Sequence, residues 1–117
     1  MKIFGLKNCD KCRLALKTLL SSGVNVSLID VRSDGISVEQ LERFYKKFGS
    51  ELVNKRSTTW RNLPEDEKVQ DIIPLLVKYP TLMKRPIINL NDKIELGWDN
   101  DVERRILSEN THTLRVS

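Results

Sequence analysis

Apolar and polar residues change their period several times along this chain, and each change marks an element. Residues 2–6 (K-I-F-G-L) form a short, mostly apolar run that reads as a strand, and Asn8-Cys9-Asp10 reads as a turn into a helix. From Cys12 onward the apolar positions are Leu14, Ala15, Leu16, Leu19 and Leu20, a helical spacing that stops at Ser21-Ser22-Gly23. Residues 24–31 (V-N-V-S-L-I-D-V) are β-branched and partly alternating, which predicts a second strand. A strand–helix–strand unit of this kind implies parallel strands joined by a right-handed crossover.

The middle of the chain is helical in pattern. Ser37-Val38-Glu39-Gln40 is a capping box, and Val38, Leu41, Phe44, Tyr45 and Phe48 then share one apolar face that ends at Gly49. Residues 54–62 (N-K-R-S-T-T-W-R-N) are polar without periodicity and read as a loop. Pro64-Glu65-Asp66-Glu67 suits a helix N-terminus. That helix is expected to carry Val69, Ile72 and Ile73, to kink or restart at Pro74, and to end before Pro80. Residues 86–90 and 93–97, joined by Asn91-Asp92, read as a β-hairpin. A last helix is expected from Asp99 or Asn100 to about Leu107, with residues 108–117 fraying. The order β-α-β, then helices, then β-β-α is the thioredoxin arrangement. The expectation is an α/β, thioredoxin-like fold in one domain, residues 1–117, with an all-helical insert between the second and third strands at roughly residues 36–82.

Composition narrows the function classes. The chain has 117 residues, 39% hydrophobic and 31% charged, the profile of an ordinary soluble globular domain. Its longest near-continuous apolar run, residues 72–77, is broken by Pro74 and far short of the ~20 residues a membrane span needs. Met1-Lys2-Ile3-Phe4-Gly5 leads straight into Lys7 without an apolar signal segment, so a cytoplasmic protein is expected. In that compartment structural disulfides are rare, and a close Cys pair is more often catalytic, redox-sensing or metal-binding. The net charge of +4 comes from interspersed signs, which gives no nucleic-acid stripe but suits small anions and acidic partners. The single histidine, His112, stands near the C-terminal end and argues against a Cys–His catalytic pair or a Cys/His zinc cluster. No long apolar seam is left once the core is assigned, so a monomer is expected.

The candidate chemistry lies in K-N-C-D-K-C-R, residues 7–13, which holds both cysteines of the chain. With a helix beginning near Cys9, Cys9 and Cys12 fall at i and i+3 on one face of its first turn, within range of a disulfide. Cys9 would sit where unpaired N–H groups and the helix dipole favour an anion, with Arg13 one turn on, Lys7 and Lys11 nearby, and Asp10 opposing. A free thiol near pKa 8.5 is only about 3% ionised at pH 7, and lowering it by about two units, worth about 2.7 kcal/mol, makes it mostly thiolate. One C-x-x-C without a second pair is half of a zinc site, and two inert packed thiols are the plainer alternative. Given the strand–turn–helix context, redox chemistry leads, with no metal and no bound cofactor expected.

A second constellation is Lys84-Arg85-Pro86, just before the third predicted strand. In a thioredoxin arrangement this segment faces the start of the Cys-bearing helix. Pro there is commonly cis, which exposes the preceding backbone for substrate pairing. Arg85 would then offer Cys9 a fork for an oxyanion or a carboxylate, the alternative being a solvated Lys-Arg pair before a turn. Arg56 and Arg61 are weaker candidates, because loop cations are usually just solvated. Trp60 reads either as a cap for that loop or as a substrate platform.

Four stretches in order, N-C-D-K-C-R (8–13), F-G-S-E-L-V-N-K-R-S-T-T-W-R-N-L (48–63), Y-P-T-L-M-K-R-P-I-I (79–88) and L-G-W-D-N-D (96–101), resemble the ArsC-like family. That family takes in glutathione-dependent arsenate reductases, short YffB-like proteins and Spx-type regulators of RNA polymerase, and the length and T-T-W-R loop look most like the YffB-like branch. The resemblance implies an oxidoreductase in which Cys9 is the nucleophile and Cys12 resolves an internal, redox-active disulfide. Arg13 and Arg85, with Arg56 as a substitute, would hold a small anionic substrate or glutathione, and Pro86 would be the structural cis-proline. Glutathione or thioredoxin would be the reductant. Arsenate reductases of this type carry Ser where this chain has Cys12, an arginine that aligns with Asn54, and a cation where the final hairpin here reads Leu96-Gly97-Trp98. Fewer cations in an oxyanion pocket point away from arsenate itself. The Spx-type branch shares C-x-x-C and a glycine like Gly49, and implies instead a redox switch that binds the RNA polymerase alpha subunit without touching nucleic acid.

Overall fold

In the computed structural model, which describes residues 1–90 and 93–116 and their side chains as far as Ser108, the chain forms two compact units. The first comprises Met1–Ile29 and Arg85–Ser117, the second Asp30–Lys84.

The first unit holds strand β1 (Lys2–Gly5), helix α1 (Asp10–Ser21), most of β2 (Ser27–Asp30), β3 (Ile87–Asn89), β4 (Ile94–Leu96) and a closing helix, α6 below. Its four strands lie in the order β2-β1-β3-β4. β1 pairs antiparallel with β3, Ile3 opposite Ile88 and Phe4 opposite Ile87; β3 pairs antiparallel with β4, Ile88 opposite Glu95. Ile3, Ala15, Leu19, Val24, Val26, Ile88, Leu90, Trp98, Val102 and Ile106 form one buried cluster, so the apolar faces of sheet and helices close on each other. Burial of that cluster is what fixes α1 against β1, and hence places the first turn of α1 beside the end of β1. The sheet and its flanking helices are a thioredoxin-like fold.

In the second unit, α2 (Val38–Phe48) starts with the Ser37 hydroxyl accepting the Gln40 N–H at 3.1 Å and ends at Gly49, whose φ of +60° suits a residue without Cβ. A 3-10 turn (Gly49–Leu52) follows, then α3 (Thr58–Arg61), α4 (Glu65–Lys68), α5 (Ile72–Lys78) and a second 3-10 turn (Pro80–Leu82). The insert is therefore all helical. α2 packs against α5, and Leu41, Phe44, Leu75 and Leu76 are buried. The last helix of the chain is α6 (Asn100–Val116), whose first turn is capped by the Asp99 carboxylate accepting the Val102 N–H at 2.9 Å.

Several expectations need correction. Residues 54–62 are not a plain loop: Ser57 caps α3 by accepting the Trp60 N–H at 3.1 Å and donates its own hydroxyl to the Asn54 carbonyl at 2.9 Å. Polar side chains satisfy the backbone there, so the helical turn needs no apolar period. The helix expected from Pro64, with a kink or restart at Pro74, is two helices, and the restart comes earlier, at Ile72. Val69 falls in the gap, 83% exposed, and Pro74 takes the third position of α5, where its missing N–H has no intrahelical partner to lose. Val38 and Tyr45 are exposed, so the buried stripe of α2 is narrower than its apolar pattern. The second strand is only Ser27–Asp30, although Val24 and Val26 before it are buried. α6 does not stop near Leu107; neither Gly nor Pro interrupts residues 108–116. The Asn91-Asp92 turn lies outside the described residues.

Candidate active site

Cys9 is the N-cap of α1, in extended conformation, with its N–H donating to the Leu6 carbonyl at 3.2 Å and its own carbonyl accepting the Arg13 N–H at 3.0 Å. The chain thus leaves β1, turns within residues 6–9, and presents the Cys9 sulfur at the positive end of a twelve-residue helix. Both cysteines are free; Cys9 is half-buried and Cys12, the third residue of the helix, is fully buried.

The two thiols are pushed in opposite directions. For Cys9, burial is the largest single influence and opposes ionisation. The Cys12 backbone N–H, the Cys12 thiol, and the charge and hydrogen bond of Arg85 together outweigh it, so Cys9 lies below the ordinary thiol range. Neutral sulfur is a weak acceptor, so it is the Cys9 anion that gains most from these donors. Cys12 is pushed up to about 12, first by burial and further by the hydrogen bond and charge of Cys9, against the opposing pull of the Leu6 backbone and Arg85. The two thiols are thus driven apart, Cys9 toward the thiolate and Cys12 toward the protonated thiol.

Arg85 is half-buried, and its peptide bond to the buried Pro86 is cis. The Pro86 carbonyl accepts the Gly97 N–H at 2.7 Å, which ties the entry of β3 to the exit of β4. Cys9, Cys12, Arg85 and Pro86 accordingly meet at one edge of the first unit.

Arg13 is exposed and lines a hollow along α1 with Leu14, Lys17 and Leu20. Arg56 is exposed in the second unit, its N–H held by the Asn54 side chain at 3.1 Å and its carbonyl by the Arg61 guanidinium at 3.1 Å. Trp60 is occupied locally, with the Lys55 and Lys68 ammonium groups 5.6 and 5.7 Å from its ring centroid. Among the described residues no group of three or more His, Cys, Asp or Glu is placed to hold a metal ion, and no helix is long and apolar enough to cross a membrane.

One residue of the site was missed from sequence. Gly5, the buried last residue of β1, lies against Cys12, so closely that a Cβ there would collide with the Cys12 sulfur. The available signal was a glycine inside a strand, which marks a close approach of another group.

Comparison with known proteins fits this geometry. The model of the ArsC family matches residues 4–106. An uncharacterised protein of Haemophilus influenzae is 41% identical over 104 residues, 83% of this chain and 90% of that protein. The global transcriptional regulator Spx of Staphylococcus aureus is 24% identical over 120 residues, 97% of this chain and 92% of the regulator. Among solved structures, a YFFB protein superposes with a TM-score of 0.83 at 28% identity, covering 91% of this chain and 97% of that one. An arsenate reductase-related protein of Brucella melitensis gives a TM-score of 0.68 at 30% identity, covering 89% and 91%.

Proposed function

This chain belongs to the ArsC family, and from that premise we propose that it is a thiol-dependent reductase, or thiol–disulfide oxidoreductase, with Cys9 as nucleophile and Cys12 as resolving thiol. The observation that carries this reading is the opposed ionisation of two neighbouring thiols at a helix N-terminus, with Arg85 beside the more acidic one. The Cys9 thiolate attacks one sulfur of a disulfide, forming a mixed disulfide and releasing the other half as a thiolate. Part of what holds the Cys12 proton is the Cys9 charge itself. Once Cys9 is covalently bound and neutral, that part disappears and Cys12 becomes easier to ionise. Its sulfur then attacks Cys9, the mixed bond breaks, and the second thiolate leaves; the substrate has gained two electrons and the pair is an internal disulfide. Glutathione or thioredoxin restores the dithiol. Arg85 holds a carboxylate of glutathione or another anionic group of the substrate.

The experiment is intact-protein mass spectrometry after exposure to oxidised glutathione. The wild type is expected to form an internal disulfide, Cys12→Ser to retain one glutathione on Cys9, and Cys9→Ser to stay unmodified. Three unmodified proteins would refute the reading.

A second reading is supported by the near full-length similarity to the Spx regulator. In it the same disulfide alters a surface that binds the RNA polymerase alpha subunit. Capture of that subunit by the reduced but not the oxidised protein would favour it; no capture in either state would remove it.

A further inference from the structure

We propose that Gly5 is a positioning residue of the redox pair: the side chain it lacks leaves the seat that holds the Cys12 sulfur beside Cys9. The proposal deepens the reading of Cys9 and Cys12 as a redox pair and rests on it.

Glycine is usually needed for its backbone, and the other four glycines here fit that use. Gly23, Gly35, Gly49 and Gly97 all have positive φ, and a Cβ on any of them would meet nothing within 4 Å. Gly5 is the reverse case. Its φ is not positive, it is buried in β1 between Phe4 and Leu6, and a Cβ built on it would collide with Cys12 Sγ, approach Cys12 Cβ to 3.2 Å, and touch Leu28 Cδ1 at 3.8 Å. What this position needs from glycine is space, and that space is filled by the resolving sulfur.

Core packing limits how far the helix can give way. α1 is held by Ala15 and Leu19, both fully buried in the core cluster one and two turns beyond Cys12. A methyl group at position 5 is relieved at the sulfur by rotation of the Cys12 thiol about its Cα–Cβ bond, while Cys12 Cβ, 3.2 Å from the added carbon, must still give way slightly. Rotation carries the sulfur out of its present contacts: the Leu6 backbone on one side and the Cys9 sulfur on the other. Cys12 has two tasks that depend on those contacts. It donates to the Cys9 sulfur in the resting state, and it must reach the same sulfur to displace a bound thiol. In that second step the Cys12 proton passes to solvent, the Cys12–Cys9 bond forms, and the bond from Cys9 to glutathione breaks, glutathione leaving as thiolate with the electron pair. Misplacement by about 1 Å costs such a step on the order of a hundredfold.

The test uses the full chain with Gly5→Ala and oxidised glutathione, followed by quenched-time mass spectrometry. The expected result is normal formation of the Cys9–glutathione adduct at high pH, closure to the internal disulfide slowed by about ten- to a hundredfold, and a pH profile of Cys9 alkylation moved upward. A purely structural glycine would lower stability and leave both closure rate and profile alone, and that result overturns the proposal. If Gly5→Ala does not fold, Gly5→Ala with Cys12→Ala decides. Recovery of the fold once the sulfur is gone supports the seat, and continued unfolding overturns it. Should the wild type itself form no internal disulfide, the underlying redox reading has failed; equal closure in wild type and Gly5→Ala is the failure of this proposal alone.

Discussion

Replacing Cys12 with alanine is expected to make the protein less sensitive to alkaline pH. In the folded chain the Cys12 thiol is pushed from an ordinary 9.0 up to about 12 by its burial and by Cys9. Between those values the unfolded chain has released this proton and the folded chain still binds it, so stability falls as pH rises. The contribution is intact below pH 9.0 and is lost progressively up to about 12. Cys12 exposes no surface to solvent. Three pK units correspond to an upper bound of about 4 kcal/mol, and the step from pH 9.5 to 10.5 alone to about 1 kcal/mol. Cys9 is shifted the other way from 9.0, so its contribution is already present above that value and nearly constant across the interval. For a chain of this length about 1 kcal/mol is a shift of about 3–6 °C in Tm. The assay is urea unfolding of the reduced wild type and Cys12→Ala at both pH values, in the presence of a phosphine reductant. Lysine and tyrosine titrations are shared and cancel in the difference. At pH 9.5 the wild type should lead by the packing of its sulfur, and by pH 10.5 that lead should shrink by about 1 kcal/mol. A lead that stays constant would mean the Cys12 proton is not specially held, and the proposed order of attack would lose its physical basis.

Two further outcomes follow from the same geometry. Arg85→Gln keeps length and polarity but removes the charge that favours the Cys9 anion, so the iodoacetamide rate at Cys9 should follow a pH profile displaced upward; an unmoved profile would remove Arg85 from the site. Ser37→Ala removes the oxygen that accepts the Gln40 N–H and should cost about 1 kcal/mol in urea unfolding, with no change in Cys9 alkylation, whereas an unchanged midpoint would show that the cap carries no stability.

The element order of the fold was legible because each element has its own period, and because Ser37, Gly49 and Asp99 punctuate it with groups whose backbone chemistry is local. The insert was less legible for the opposite reason. α3 and α4 are four residues each, too short for a period, and are held by hydrogen bonds from Ser57 and by proline placement rather than by an apolar stripe. Val69 shows how this misleads: it extends an apolar pattern through a break that Pro74 imposes, and it ends up in solvent. The polar residues after Leu107 suggest an end to α6, yet polarity without Gly or Pro does not end a helix.

At the site, the sequence carried what lies along the chain and hid what lies across it. Cys9 and Cys12 share a helical turn, so their proximity is a matter of spacing alone. Arg13 is also one turn from Cys9 and is exposed on the helix. The cation acting on Cys9 is Arg85, brought there by β3 pairing with β1, in a register set by the burial of Ile3, Phe4, Ile87 and Ile88 rather than by any polar residue. Gly5 depends on the same placement. A glycine four residues before a cysteine has no local meaning; it acquires one when core packing presses the first turn of α1 onto the end of β1, leaving room for a sulfur and not for a methyl group as well. The hydrophobic core is therefore part of the candidate site, since it fixes both the charge beside Cys9 and the space that the second thiol occupies.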